Sequence, residues 1–205
     1  CADTFIDKLV QYSKEEVKEE LIFQIVQEIN QKIADINKGR KIDYLANDYY
    51  GCVAVGGYII EDIMYCFSIG DCHIMTLDAN FEVQFSTINN HLPFEEYLEN
   101  VYCKKNHYDW NNPADRIMVR KEYRNKPEKQ YQGKEISFGV LTGEKEAEHY
   151  VDVYQVDLKD IKYICAYSDG CEEFLSNKED IKKYVENPNL IANQGEERTL
   201  IIYER

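Results

Sequence analysis

The sequence predicts an α+β protein built around antiparallel sheets, and three observations support this class. A long amphipathic helix pattern lies near the start of the chain, a group of short strand-like runs follows it, and a second group of strands closes the chain. Helices and strands therefore come in separate runs. A parallel doubly wound sheet would instead alternate helix and strand regularly, so we expect the α+β class.

The first predicted helix runs from Lys14 to Lys38. Ser13 is placed to cap it, Glu16 follows three residues later as in a capping box, and Gly39 is a stop signal. We expect its apolar face to pack on a sheet. Apolar residues recur along it at steps of three and four, which is the spacing of one helix face: Val17, Leu21, Ile22, Ile25, Val26, Ile29, Ile33 and Ile36.

Short segments rich in Val, Ile, Tyr and Phe, bounded by Gly or Asp, predict β-strands. We expect the first three of them to be antiparallel strands joined by hairpins. Beyond Gly170, the apolar spacing within residues 171–187 predicts one helix or two short ones. The strand segments are residues 51–60, 63–72, 73–78, 81–87, 147–158, 162–168 and 198–204.

Residues 92–135 differ in composition from the strand groups on either side. They contain Pro93, Pro113 and Pro127 and many charges, which predicts an irregular or helical insertion rather than core. Lys and Arg outnumber Asp and Glu between Lys104 and Lys134, by nine to four. This excess is consistent with a flap that attracts a phosphorylated substrate, and equally with a solvated charged insertion.

Length and charge limit the possible functions. A chain of 205 residues is long enough for one well-buried domain, and we expect a single domain over residues 1–205. The net charge of −14 argues against nucleic-acid or anionic-membrane partners, which are bound by clustered cations. Seven cysteines without a C-x-x-C pair predict reduced thiols and a cytoplasmic protein. The sequence leaves the oligomeric state open.

Acidic residues stand at three strand ends. Asp71 and Asp169 each end an apolar strand, and Glu196 with Glu197 precedes the last one. An Asp-Gly pair after a strand is usually a turn when it occurs alone. Three acidic strand ends in one chain are more informative, because Mg²⁺ and Mn²⁺ prefer carboxylate oxygens. We therefore expect a divalent-metal site at one edge of the sheet.

Four segments in the same order resemble the metal-dependent protein phosphatases of type 2C. They are "GCVAVGGYI", "FSIGDCHIMTLD", "YICAYSDGCEEFLSN" and "EERTLIIYE". The Ser168-Asp169-Gly170 block is the most specific of them, and the others support it by order and spacing. The resemblance covers the whole chain except the insertion at 92–135.

The resemblance implies a four-layered αββα fold, in which two packed antiparallel sheets are flanked by helices. It implies two or three Mn²⁺ or Mg²⁺ ions that activate a water for hydrolysis of phosphoserine or phosphothreonine in a protein substrate. By position, Asp169 corresponds to the central catalytic metal ligand. Asp71, Gly170 and Glu196 complete the implied metal site.

Two departures from the family pattern leave an alternative open. Glu196 stands where the family has Asp, and ligand distances in metal sites tolerate errors of only about 0.2 Å. The family's first Asp-Gly turn and its phosphate-binding Arg have no counterpart, and because the chain begins with Cys1 we expect an upstream segment. The alternative is a phosphatase-like regulatory or binding module with impaired catalysis. A weaker third possibility is hydrolysis of small phosphate esters.

Overall fold

The computed structural model describes residues 2–12, 19–41, 49–109, 112–192 and 198–205. The α+β class with antiparallel sheets is confirmed. The chain forms two compact units. The first unit consists of residues 1–53 and 90–152, and the second consists of residues 54–89 and 153–205. No described helix is long and apolar enough to cross a membrane.

The helices are α1 (Ala2–Tyr12), α2 (Glu19–Gly39), α3 (Leu92–Tyr97), α4 (Cys103–Asn106), α5 (Pro113–Tyr123), α6 (Lys178–Glu186) and α7 (Asn189–Ala192). The strands are β1 (Ala54–Ile60), β2 (Ile63–Ile69), β3 (Cys72–Leu77), β4 (Val83–Ser86), β5 (Gln130–Tyr131), β6 (Lys134–Glu135), β7 (Asp152–Asp157), β8 (Tyr163–Ser168) and β9 (Leu200–Glu204).

Helix α2 is the main element of the first unit, and its buried face is the one that the sequence predicts. Ile36 is exposed near the end of the helix, Leu21 is only half-buried, and Val17 lies outside the described residues. The proposed caps Ser13 and Glu16 lie outside the described residues. Helix α1, which the sequence analysis did not predict, is joined to α2 by the ion pair of Lys8 with Glu28 at 2.6 Å. The buried residues of the α2 face are Ile22, Ile25, Val26, Ile29 and Ile33.

Two buried asparagines on α2 fix a distant loop of the same unit. The Asn37 amide donates to the backbone oxygens of Tyr50 at 2.9 Å and Thr142 at 2.8 Å. Asn30 donates to the backbone oxygen of Glu144 and accepts from the Gly143 amide at 2.7 Å. Buried polar groups are stable only when they are hydrogen-bonded. The loop after residue 141 therefore has one position against the helix.

The insertion is helical, which is one of the two predicted alternatives, but the prediction that it carries no core is wrong. It consists of α3, a π-helical turn (Leu98–Tyr102), α4 and α5, followed by the β5–β6 hairpin. Five buried residues from α3, the π-helical turn, α5 and the segment after β6 form the cluster, and partly buried tyrosines surround it. The buried residues are Phe94, Leu98, Val119, Tyr123 and Ile136.

The second unit is a sandwich of two antiparallel sheets. One sheet has the order β1-β2-β7, and the other has the order β4-β3-β8-β9. Apolar residues of both sheets, among them Cys66, Ile74 and Ile164, meet between them. The opposite face of the four-stranded sheet is covered by α6 and by the 3₁₀ segment Asp169–Leu175. Of the two predicted alternatives, one helix or two short ones, the second is confirmed, and the first of the two elements already begins at Asp169.

Two predicted strand features are wrong. Strands β2 and β3 do not form a hairpin, because the chain passes from one sheet to the other at Gly70, whose φ of +86° suits glycine. Residues 147–158 are not one strand: a 3₁₀ helix (Lys145–Tyr150) precedes β7. Ala147 and Tyr150 are three residues apart and both are buried. This spacing matches the three-residue repeat of a 3₁₀ helix better than the two-residue alternation of a strand.

Two glycines with positive φ allow a matched test of the first unit. Gly133→Ala, at φ +79° with open space for a Cβ, should lower the free energy of unfolding by about 1 to 2 kcal/mol. Gly143→Ala, at φ +89°, places the Cβ 2.4 Å from Ala34 Cα and should cost a further ~1 to 3 kcal/mol. Urea denaturation of both variants measures the difference. Equal losses would contradict the packing of the loop on α2.

Candidate functional site

The antiparallel pairing of β3 with β8 brings two of the predicted site residues together. The ladder joins Leu77 to Tyr163 at one end and Cys72 to Ser168 at the other. Asp71 immediately precedes the first paired residue of β3, and Asp169 immediately follows the last paired residue of β8. Both carboxylates therefore lie at the same end of the same strand pair.

Asp169 lies at the point where strand β8 becomes the 3₁₀ segment. Its side chain is exposed, and Oδ1 accepts a hydrogen bond from the Gly170 amide at 2.7 Å. The preceding Ser168 is tied to Thr199, since the Thr199 amide donates to Ser168 Oγ at 3.1 Å and the Ser168 amide donates to the Thr199 oxygen at 3.0 Å. The Cys171 thiol donates to the same oxygen at 3.4 Å. The backbone around Asp169 is thus held on both sides.

The pKa of the Cys72 thiol reflects both its burial and the negative charge at this end of the strands. Burial raises its pKa to about 11, and the Asp71 and Asp169 carboxylates both add to the increase. Both carboxylates therefore act on the same thiol, which agrees with their position at one strand end. The thiol therefore stays neutral near pH 7 in the metal-free protein.

The structure brings Asp71, Asp169 and Gly170 together, whereas Glu196 lies outside the described residues. Within the described ranges, no three His, Cys, Asp or Glu side chains form a group that could hold a metal ion. The described donors at this edge are two carboxylates, one half-buried and one exposed. Mg²⁺ is commonly held by one or two carboxylates and completes its shell with water. The donor chemistry therefore fits a hard divalent cation.

A buried histidine close to the site was missed by the sequence analysis. His73, two residues after Asp71, lies with Nε2 3.0 Å from Glu172 Oε1 and Nδ1 3.4 Å from Thr87 Oγ1. Its spacing from other histidines does not match an ordinary zinc motif, so no motif singles it out. In the sequence, the position of Glu172 three residues after Asp169 could have indicated an acidic partner for His73 near the site.

The charged insertion is less cationic at its surface than the sequence suggests. Arg124 is only 4% exposed, and its guanidinium contacts Glu144 at 3.1 Å and lies 3.9 Å from the centroid of the Tyr49 ring. Lys129 lies 3.6 Å from Glu122. Arg124 is therefore part of the packing of this unit. The flap that attracts phosphate stays a prediction.

Among the comparisons with known proteins, only the one with solved structures found matches. No family model and no curated protein matches the sequence. The structure is similar to the serine/threonine phosphatase Stp1 from Staphylococcus aureus, with a TM-score of 0.58 and 12% identity over 98% of this chain and 75% of that one. It is also similar to PppA, described as a regulatory component of T6SS in Pseudomonas aeruginosa, with a TM-score of 0.57 and 10% identity over 99% of this chain and 78% of that one.

A third similar structure includes metal ions. The catalytic domain of the serine/threonine protein phosphatase PstP, in complex with two manganese ions, has a TM-score of 0.55 and 13% identity over 98% of this chain and 77% of that one. Identities this low show the fold alone. The chain has the fold of the serine/threonine phosphatases that the sequence resemblance predicts.

Proposed function

We propose that the protein hydrolyses phosphoserine and phosphothreonine monoesters of protein substrates, with Mn²⁺ or Mg²⁺ ions held partly by Asp71 and Asp169. The observation that carries the proposal is the β3–β8 register, which places both carboxylates at one end of a strand pair. The same fold in several serine/threonine phosphatases supports the reaction class. Gly170 and Glu196 stay predicted members of the metal site.

The chemistry follows from what these residues can and cannot do. Two carboxylates at one strand end repel a phosphate, so a cation between them and the substrate is required for binding. Divalent cations in such sites lower the pKa of water and offset the charge of a transferring phosphoryl group. Asp71 and Asp169 would hold and orient the cations. The family resemblance gives Asp169 the central role, and the hydrogen bond from the Gly170 amide orients its Oδ1.

Cysteine-based phosphate transfer is not supported at this end of the sheet. Burial raises the pKa of the Cys171 thiol, and the pKa of the Cys72 thiol rises to about 11. A nucleophilic cysteine needs a lowered pKa, because the thiolate is the reactive form. A hydrolytic reaction with water as the nucleophile therefore agrees better with the electrostatics of the site.

The reaction can be tested by phosphate release from phosphoserine and phosphothreonine peptides. We expect release that requires Mn²⁺ or Mg²⁺ and that stops on addition of EDTA. Asp169→Asn should lower the rate at least ~100-fold, since the loss even of residues that only support metal ligands typically costs 10- to 100-fold. Asp160→Asn is the matched control, because this exposed residue precedes β8 at the opposite end of the strand.

Two results would contradict the proposal. No metal-dependent release from either peptide would favour the regulatory or binding module, and an unchanged rate in Asp169→Asn would exclude the role given to that carboxylate. Faster release from small phosphate esters than from the peptides would instead identify small molecules as the substrates.

Metal binding can be measured without turnover by its effect on stability. In the presence of Mn²⁺ at 100 times its dissociation constant, a single site stabilises the folded protein by about 2.7 kcal/mol. Asp71→Asn should lose most of this gain. In metal-free buffer it should unfold at the same denaturant concentration or slightly higher, because one of two neighbouring negative charges is removed. A variant that keeps the full Mn²⁺-dependent gain would show that Asp71 binds no metal.

A further inference from the structure

His73 is held in one orientation by buried contacts. It is 3% exposed, pairs with Tyr167 across the β3–β8 ladder, and has its ring centroid 5.5 Å from that of Tyr167. The Thr87 hydroxyl oxygen accepts from the Ile74 amide at 3.1 Å and lies 3.4 Å from His73 Nδ1. The hydroxyl hydrogen can then be donated to Nδ1, and a ring hydrogen on Nε2, which faces the Glu172 carboxylate, agrees with both contacts.

The other ring nitrogen faces Glu172. Nε2 lies 3.0 Å from Glu172 Oε1, but the angle falls short of a hydrogen bond, and no other described group serves as a hydrogen-bond partner for Nε2. The Glu172 side chain is 48% exposed, so it has the freedom to align with the ring. A buried polar nitrogen gains most from such a partner, because water cannot replace it.

This contact joins the two parts of the chain that carry the candidate ligands. His73 is on β3, two residues after Asp71, and Glu172 is in the 3₁₀ segment, three residues after Asp169. A 3₁₀ helix has three residues per turn, so Glu172 and Asp169 lie on the same side of the segment. His73 lies within the strand ladder, paired with Tyr167, whereas Glu172 lies beyond the last pair of the ladder, Cys72 with Ser168.

We infer that His73 and Glu172 are positioning residues, whose contact holds the segment beginning at Asp169 against β3 and so sets the spacing of Asp71 and Asp169. The inference rests on the proposed function and names two further residues for the same site. Glu172 acts through its acceptor oxygen on the histidine. For positioning, the negative charge of Glu172 does not matter. If Glu172 instead attracted a cation directly, its charge would matter.

Three variants of adjacent residues separate these roles. Glu172→Ala removes the acceptor, Glu172→Gln keeps an acceptor oxygen but removes the charge, and Glu173→Ala is the matched control. The Glu173 carboxylate contacts Arg198 at 3.2 Å instead of His73. Both positions are exposed, so the three variants should fold, whereas substitution of the buried His73 risks the fold itself.

The readouts are the Mn²⁺ dissociation constant from calorimetry and amide hydrogen exchange of residues 170–172 in the metal-free protein. For Glu172→Ala we expect a dissociation constant about 10 to 100 times higher, as for other residues that support metal ligands, together with faster exchange. Glu172→Gln should stay close to the wild type in both readouts. The thermal midpoint of the metal-free protein should change no more in Glu172→Ala than in Glu173→Ala.

The inference is overturned if Glu172→Ala binds Mn²⁺ as the control does, or if Glu172→Gln weakens binding as much as Glu172→Ala. Failure of the proposed function gives a different result. If the wild type binds no Mn²⁺, that proposal fails, while the exchange rates still test the contact: unchanged exchange in Glu172→Ala overturns the inference, and faster exchange in that variant alone supports it.

Discussion

The antiparallel register of β3 and β8 is the constraint on which the rest of the site depends. One pair, Cys72 with Ser168, ends the ladder, and the residues just beyond it are Asp71 and Asp169. A shift of one residue would turn every side chain of one strand to the opposite face of the sheet. Met75 and Cys165 are a ladder pair and lie in the core cluster that packs under α6, so burial holds this register.

The sequence predicts those parts of the site that depend on local pattern. Asp71 and Asp169 were predicted as site residues because each ends an apolar strand. The apolar spacing along α2 predicted its buried face. Features that depend on the tertiary pairing of strands were missed or wrong. A tight turn at Gly70 is compatible with a hairpin or with a change of sheet, and only the pairing of strands distinguishes them. The contact of His73 with Glu172 spans about a hundred residues and cannot be read from spacing.

The electrostatics of this sheet edge favour cations over thiol chemistry. Burial is the main reason that the Cys72 thiol is neutral, and the two neighbouring carboxylates add to it. The same two negative charges disfavour an anionic substrate unless positive charge is bound near them. In the insertion, at least one cationic residue is paired within its own unit: Arg124 is buried against Glu144 and Tyr49. The divalent ions in the proposed function thus agree with the charges at this end of β3 and β8.

The most direct test of the account is a crystal structure of the protein grown with Mn²⁺, with anomalous diffraction measured at the manganese edge. The account predicts an anomalous peak within coordination distance of a carboxylate oxygen of Asp169, with Asp71 bound directly or through a water. A map with no peak at this end of the β3–β8 pair, or with peaks only at other carboxylates, would contradict it.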